Sequence, residues 1–229
     1  MVKLSKLSQN SYKSYLSIHL IGKIMTKHIP RIIIGRLPLY LRAFIRLQKD
    51  GHSYASSREL GQLLGISAAQ IRKDLSHFGE LGKRGKGYEI EFLISKLNQI
   101  LNTDVIWDMI VIGAGDLGSG LARYKGFTDR GFKVSAIFDI DPVKIGKKIG
   151  DLIVKDIREM CDFVAENNIQ IAVLAIPAED AQHVIDDLVE VGITAILNYA
   201  PIYIKTPDGV QIEHIDPSVH LQKLSYFLK

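Results

Sequence analysis

Residues 109–118 read Met-Ile-Val-Ile-Gly-Ala-Gly-Asp-Leu-Gly, an apolar run that breaks into G-x-G-x-x-G at Gly113, Ala114, Gly115, Asp116, Leu117 and Gly118. A helical pattern follows to Tyr124, so the glycines stand where a strand turns into a helix. In that context the glycines permit the tight turn, the close approach of a pyrophosphate, and the packing of helix on strand. A second strand over Lys133–Phe138 ends in Asp139, about 20 residues on, where a carboxylate binds adenosine ribose hydroxyls. An acid there also repels a 2′-phosphate, which favours NAD over NADP.

Downstream the alternation continues: a helix near Asp156–Asn167, a strand over Ile169–Ile176, a helix over Glu179–Val191, and a strand over Thr194–Asn198. The pattern predicts a doubly wound parallel sheet of Rossmann type. A dehydrogenase needs an acid/base beside the nicotinamide. The sequence has no Tyr-x-x-x-Lys pair, no thiol near the expected cofactor site and no convincing His–carboxylate pair; His183 reads as a surface residue of a helix. The expectation is binding without turnover, with no catalytic residue. Two rival readings stand beside it: an NAD-dependent oxidoreductase with a basic N-terminal appendage, and a CoA- or nucleotide-binding module.

Upstream the chain changes character. Pro38–Lys49 opens with proline and sets Leu41, Phe44, Ile45 and Leu47 at helical spacing. Ser56 and Glu59 have the spacing of a capping box, starting a short helix through Leu63 that Gly65 stops. Ser67 and Gln70 repeat the device as S-x-x-Q. Two short helices joined by a glycine-containing turn predict a helix-turn-helix. On the second helix Ile71 and Leu75 face the core, leaving Gln70, Arg72 and Lys73 for base edges and phosphates. Next, Gly79–Tyr88 puts four glycines among Lys83, Arg84 and Lys86 before a strand-like Tyr88–Phe92. That is the composition of a wing, whose bare backbone lets cations approach a narrow groove.

Charge follows the same division. Residues 1–98 hold 17 Lys and Arg against 6 Asp and Glu, whereas residues 99–229 hold 12 against 19, within a net charge of +4. A basic front half suits a polyanion. The lone cysteine, Cys161, excludes an intrachain disulfide, the histidines lack metal-ligand spacing, and no run approaches the roughly 18 apolar residues of a membrane span. A cytoplasmic protein without metal or membrane contact is expected. Residues 1–26, acid-free and rich in Ser, Lys and Tyr, are expected to be a disordered basic arm.

From about Ile29 to Leu228 the chain resembles the Rex family of redox-sensing repressors. The resemblance is carried by RLPLYLR (36–42), QIRKDLSHFGELGKRGKGY (70–88), GAGDLG (113–118), FDIDP (138–142), IPAEDAQ (176–182), ILNYAP (196–201) and IDPSVHLQKLSYFL (215–228). It implies an α/β chain with an N-terminal winged helix-turn-helix and a C-terminal Rossmann doubly wound sheet. It implies also a last helix that packs across onto the partner subunit. The corresponding division is a basic extension (1–26), a DNA-binding domain (27–100), an NAD(H)-binding domain (101–214) and a dimerisation helix (215–229). It also implies a homodimer that holds palindromic double-stranded operator DNA and is released by NADH, so reading the NADH/NAD⁺ ratio. Locally, Asp216 can cap the last helix, with Pro217 at its first position. The apolar surface comes from Val219, Leu221, Leu224, Phe227 and Leu228. By the resemblance, Arg42, Tyr124 and Asp216 form a switch, and Tyr124, Pro177 and Asn198 join the glycine loop around the dinucleotide.

Overall fold

A computed structural model describes residues 29–83 and 85–228. The arm expected over residues 1–26 lies outside the described residues, as does Arg84. Contacts divide the chain into two compact units, the first ending at Asn102.

The first unit runs α1 (Arg31–Ile34), α2 (Leu37–Lys49), β1 (Tyr54–Ala55), α3 (Ser57–Leu64), α4 (Ala68–Ser76), β2 (Tyr88–Glu89) and α5 (Ile90–Leu101). Pro38 sits in the first turn of α2, where a missing N–H costs nothing. Ser56 and Glu59 close a complete capping box on α3, and Gly65 ends it in the left-handed region at φ 67°. At α4 only half of the expected box forms. The Ser67 hydroxyl accepts the Gln70 N–H at 3.2 Å, while the Gln70 side chain turns instead to Asp74 at 2.7 Å.

A two-stranded antiparallel ribbon pairs β1 with β2. The strand expected over Tyr88–Phe92 is therefore only Tyr88–Glu89. From Ile90 the chain is helical, because Ile90, Leu93 and Leu97 recur at helical spacing and are all buried. They meet Leu37, Tyr40 and Phe44 of α2, Leu60 of α3, and Ile71 and Leu75 of α4 in one core. Phe44 and Tyr88 pack edge to face, their centroids 6.1 Å apart.

The second unit contains β3 (Trp107–Ile112), α6 (Asp116–Ala122), β4 (Phe132–Asp139), β5 (Lys148–Ile149), β6 (Leu152–Asp156) and α7 (Met160–Asn167). These are followed by β7 (Ile171–Leu174), α8 (Ala178–Glu190), β8 (Ala195–Asn198), β9 (Gln211–His214) and α9 (Pro217–Ser225). The sheet order is β5-β6-β4-β3-β7-β8-β9. Only the edge pair β5–β6 is antiparallel; the other pairs are parallel. From β6 to β9 this is the order in which two mononucleotide-binding halves meet, reversing between β3 and β7. The doubly wound expectation holds, with corrections. The segment expected as one helix near Asp156–Asn167 starts only at Met160, after strand β6 and a 3-10 turn over Ile157–Glu159. β5, β6 and β9 are strands that the alternation did not single out.

Ile110, Ile112, Leu174 and Ile196 pack on Met160 and Val164 of α7 and on Ala181, Ile185 and Leu188 of α8. Met109, Val111, Ile137 and Val173 face the other way, toward Leu121 and Ala122 of α6 and toward Phe127. Helices thus cover both faces of the sheet. No described helix is long and apolar enough to cross a membrane.

Candidate functional site

In the first unit the chemistry gathers on α4 and the turn after it. Arg72 and Lys73 are exposed and Gln70 is half-buried, beside a stripe of Ile71, Asp74 and Leu75 that is buried. Ser67 is exposed at the head of the helix. Arg72 donates through Nη1 to the Ser57 hydroxyl at 2.9 Å, which holds its guanidinium across the mouth of α3. The wing is a tight loop: Lys83 and Gly87 exchange backbone hydrogen bonds of 2.8 and 2.9 Å. Gly87 has φ +86°, and a Cβ there would stand 2.5 Å from the Ala55 carbonyl, so only glycine lets the wing lie against β1. Lys86 places its ammonium 4.2 Å from the Tyr54 ring centroid. Between α4 and the wing lies an open groove of about 800 Å³, whose lining includes Arg72, Lys83 and Lys86. Three cations along a concave face suit a polyanion.

Sequence reasoning missed the buried support of this face. Asp74, on α4, is wholly buried. Its Oδ2 accepts from Arg36 Nε at 2.6 Å and from the Tyr40 hydroxyl at 2.5 Å; its Oδ1 accepts from Arg36 Nη2 at 2.8 Å and Gln70 Nε2 at 2.7 Å. All four acceptor positions of the carboxylate are filled. Burial opposes its ionisation, but the hydrogen bonds from Arg36, Tyr40 and Gln70 outweigh it and hold the pKa below the ordinary range. Burial first, and the bond to Asp74 second, push the Tyr40 phenol up. The only sequence signal was an acid among the cations of a helix that otherwise reads as basic.

In the second unit the glycine turn has the three properties expected of it. Gly113 has φ +97°, and a Cβ there would lie 2.3 Å from the Ala175 carbonyl. At Gly118 a Cβ would lie 1.8 Å from the Gly113 carbonyl, so helix and turn touch there. At Gly115 a Cβ meets nothing within 4 Å. The turn and the helix are thus closed on the protein side and open at the middle glycine, as approach by a pyrophosphate requires. Asp116 and Leu117 are exposed at the start of α6, while Ala114 is buried.

Asp139 lies beside the turn, but much of its capacity is already used. Its Oδ2 accepts the Ala114 N–H at 2.7 Å and the Lys144 ammonium at 3.1 Å, and its Oδ1 accepts the Asp141 N–H at 2.8 Å. Burial opposes ionisation, yet the backbone bonds from Asp141 and Ala114 and the nearby Lys144 hold its pKa low. One acceptor position is left for a ribose hydroxyl. The Lys144 ammonium also offsets its charge, so repulsion of a 2′-phosphate is weaker than the carboxylate alone implies.

The loops after β3, β7 and β8 converge at the strand ends. Ala175 donates to Ile112 O and Tyr199 to Leu174 O, at 2.8 and 2.9 Å. Pro177 is exposed there as the cap residue of α8. Asn198 is the last residue of β8. It is wholly buried; its Oδ1 accepts the Ala200 N–H at 2.9 Å, and its Nδ2 lies 3.0 Å from both Ala200 O and His214 Nδ1. Its amide shapes the 198–202 loop and ties it to β9.

Curated relatives settle the family. The redox-sensing transcriptional repressor Rex of Chloroflexus aurantiacus is 46% identical over 199 residues, covering 87% of this chain and 94% of that protein. The Rex of Thermosipho africanus is 45% identical over 202 residues, covering 88% and 97%. The chain belongs to the Rex family. Residues 28–76 of this Rex-family chain match the family described as "Putative DNA-binding protein N-terminus", and residues 104–202 match the CoA binding domain. Among solved structures it is similar to RSP, a Rex-family repressor, in complex with β-NAD⁺ and operator DNA (TM-score 0.84, 42% identity, 89% of this chain and 94% of that one). It is similar also to RSP in complex with β-NADH (TM-score 0.81, 41% identity, 89% and 95%).

The three residues expected to form the Rex switch divide between the units. Arg42 is exposed on α2. Tyr124 is half-exposed and packs edge to face on Phe127 at 5.0 Å. Asp216 caps α9 by accepting the Ser218 N–H at 2.8 Å. α9 buries none of its residues, and Val219, Leu221, Leu224, Phe227 and Leu228 of the C-terminal segment stay between 44% and 82% exposed.

Proposed function

We propose that this chain represses transcription as a homodimer that grips a palindromic operator with two winged helices and lets go when NADH fills its Rossmann unit. The observation that carries the reading is the presence, in one chain, of a cation-lined groove beside α4 and a glycine turn open at Gly115. The neighbours solved with operator DNA, with β-NAD⁺ and with β-NADH support the same ligands here.

On this reading Ser67, Gln70, Arg72 and Lys73 face the major groove, and Lys83, Arg84 and Lys86 the backbone beside it. Gly115 admits the pyrophosphate against bare backbone, Asp139 steadies the turn and offers its remaining acceptor position to the ribose, and Pro177 borders the nicotinamide end. Tyr124, Arg42 and Asp216 exchange partners between the free and filled states. The exposed apolar residues of the C-terminal segment support its packing on the partner subunit, where burial of each large side chain contributes about 1.5–3 kcal/mol. The nicotinamide ring supplies the redox signal as charge, neutral when reduced and cationic when oxidised, and a cation resists burial in apolar surroundings. The chain therefore acts by binding, without turnover.

Calorimetric titration of the full-length protein with NADH and with NAD⁺ tests this. NADH should bind at least about tenfold more tightly, or about 1.4 kcal/mol. Equal affinities would overturn redox sensing.

A further inference from the structure

Asp74 does more than link two helices. A glutamine amide turns about a broad, roughly two-fold torsion and can present its oxygen or its NH₂ in either direction. At Gln70 that choice is removed. The facing group is an ionised carboxylate, which only accepts, and its other positions are filled by Arg36 and Tyr40. The NH₂ end must therefore point inward, where Nε2 lies 2.7 Å from Asp74 Oδ1. A reversed amide would set oxygen against oxygen in a part-buried site. With one N–H spent on Asp74, the carbonyl and the second N–H form the remaining edge, and that pair is complementary to N6 and N7 of adenine.

We infer that Asp74 is a positioning residue for base recognition: by fixing the polarity of the Gln70 amide it makes α4 select adenine at one position of each half-site. The inference rests on the reading of α4 as the base-reading helix.

The test measures full-length protein on a panel of operator duplexes, each base pair of the half-site being substituted in turn. Wild type should discriminate at one adenine by about tenfold or more. Gln70→Ala should lose that discrimination alone. Asp74→Asn, whose amide can donate or accept, should lose it at the same base pair, and the double variant should add nothing further. If Asp74→Asn fails to fold because Arg36 is left unpaired, Arg36→Met with Asp74→Asn removes both charges and is read in the same way. Uniform weakening on every duplex, with discrimination kept, would overturn the inference and leave Asp74 a packing link. Discrimination kept by Gln70→Ala would overturn it too. Arg72→Ala and Lys73→Ala separate that outcome from failure of the wider reading, since both still weaken binding if α4 meets DNA.

Discussion

At the scale of single residues, one motif holds glycines with opposite tolerances. Gly115 has extended backbone at φ −72°, ψ −172° and open space where a side chain would go. Gly115→Val should therefore melt like wild type yet bind NADH at least tenfold more weakly. Gly118→Ala forces a Cβ to within 1.8 Å of the Gly113 carbonyl. It should cost about 1–3 kcal/mol of stability, seen as a lower melting temperature. The reverse pattern would place the ligand elsewhere. Asp74 makes a pH prediction. Its pKa in the folded chain lies below the ordinary value, so its stabilising effect is in place above about pH 4 and declines as the pH falls through the folded value. Thermal melts of the full chain should show the first unit weakening below about pH 4; a flat profile there would contradict the assignment.

At the scale of elements, the capping box on α3 should be worth about 1 kcal/mol, which Ser56→Ala measures directly in denaturant unfolding. The wing is tested by salt. Each phosphate contact contributes about 0.9 to the slope of log affinity against log salt, so Lys83→Gln with Lys86→Gln should flatten that slope by about 1–2. An unchanged slope would remove both lysines from the DNA face. Local chemistry explains what was legible. Ser56, Glu59 and Gly65 act within one short helix, and Gly113, Gly115 and Gly118 act within one loop. Where the deciding contact is remote, the sequence misleads. The role of Asp74 is not legible locally because its partner Arg36 is 38 residues away. The bonds that tie the Asn198 amide to His214 and to the turn at Ala200 form only once β8 and β9 are paired, so no local pattern announces them. Tyr88–Phe92 alternates apolar residues with Glu89 and Glu91 over only five positions, which reads as a strand; Leu93 and Leu97 decide for a helix by joining the core with α2.

At the scale of the whole molecule, the C-terminal segment and the NADH response are one question. Leu224→Asp with Phe227→Asp puts charge on a surface that α9 leaves exposed. The variant should sediment as a monomer and lose operator affinity, since two half-sites need two linked readers; a dimer that still binds DNA would contradict the role of α9. Linkage then requires that NADH and operator each lower the affinity for the other by one and the same factor. The most direct measurement is fluorescence anisotropy of a labelled palindromic operator with full-length protein at fixed salt, repeated in saturating NADH and in saturating NAD⁺. NADH should weaken operator binding at least about tenfold, about 1.4 kcal/mol, while NAD⁺ leaves it in place. Operator binding equally tight under both nucleotides would contradict redox control of the DNA grip.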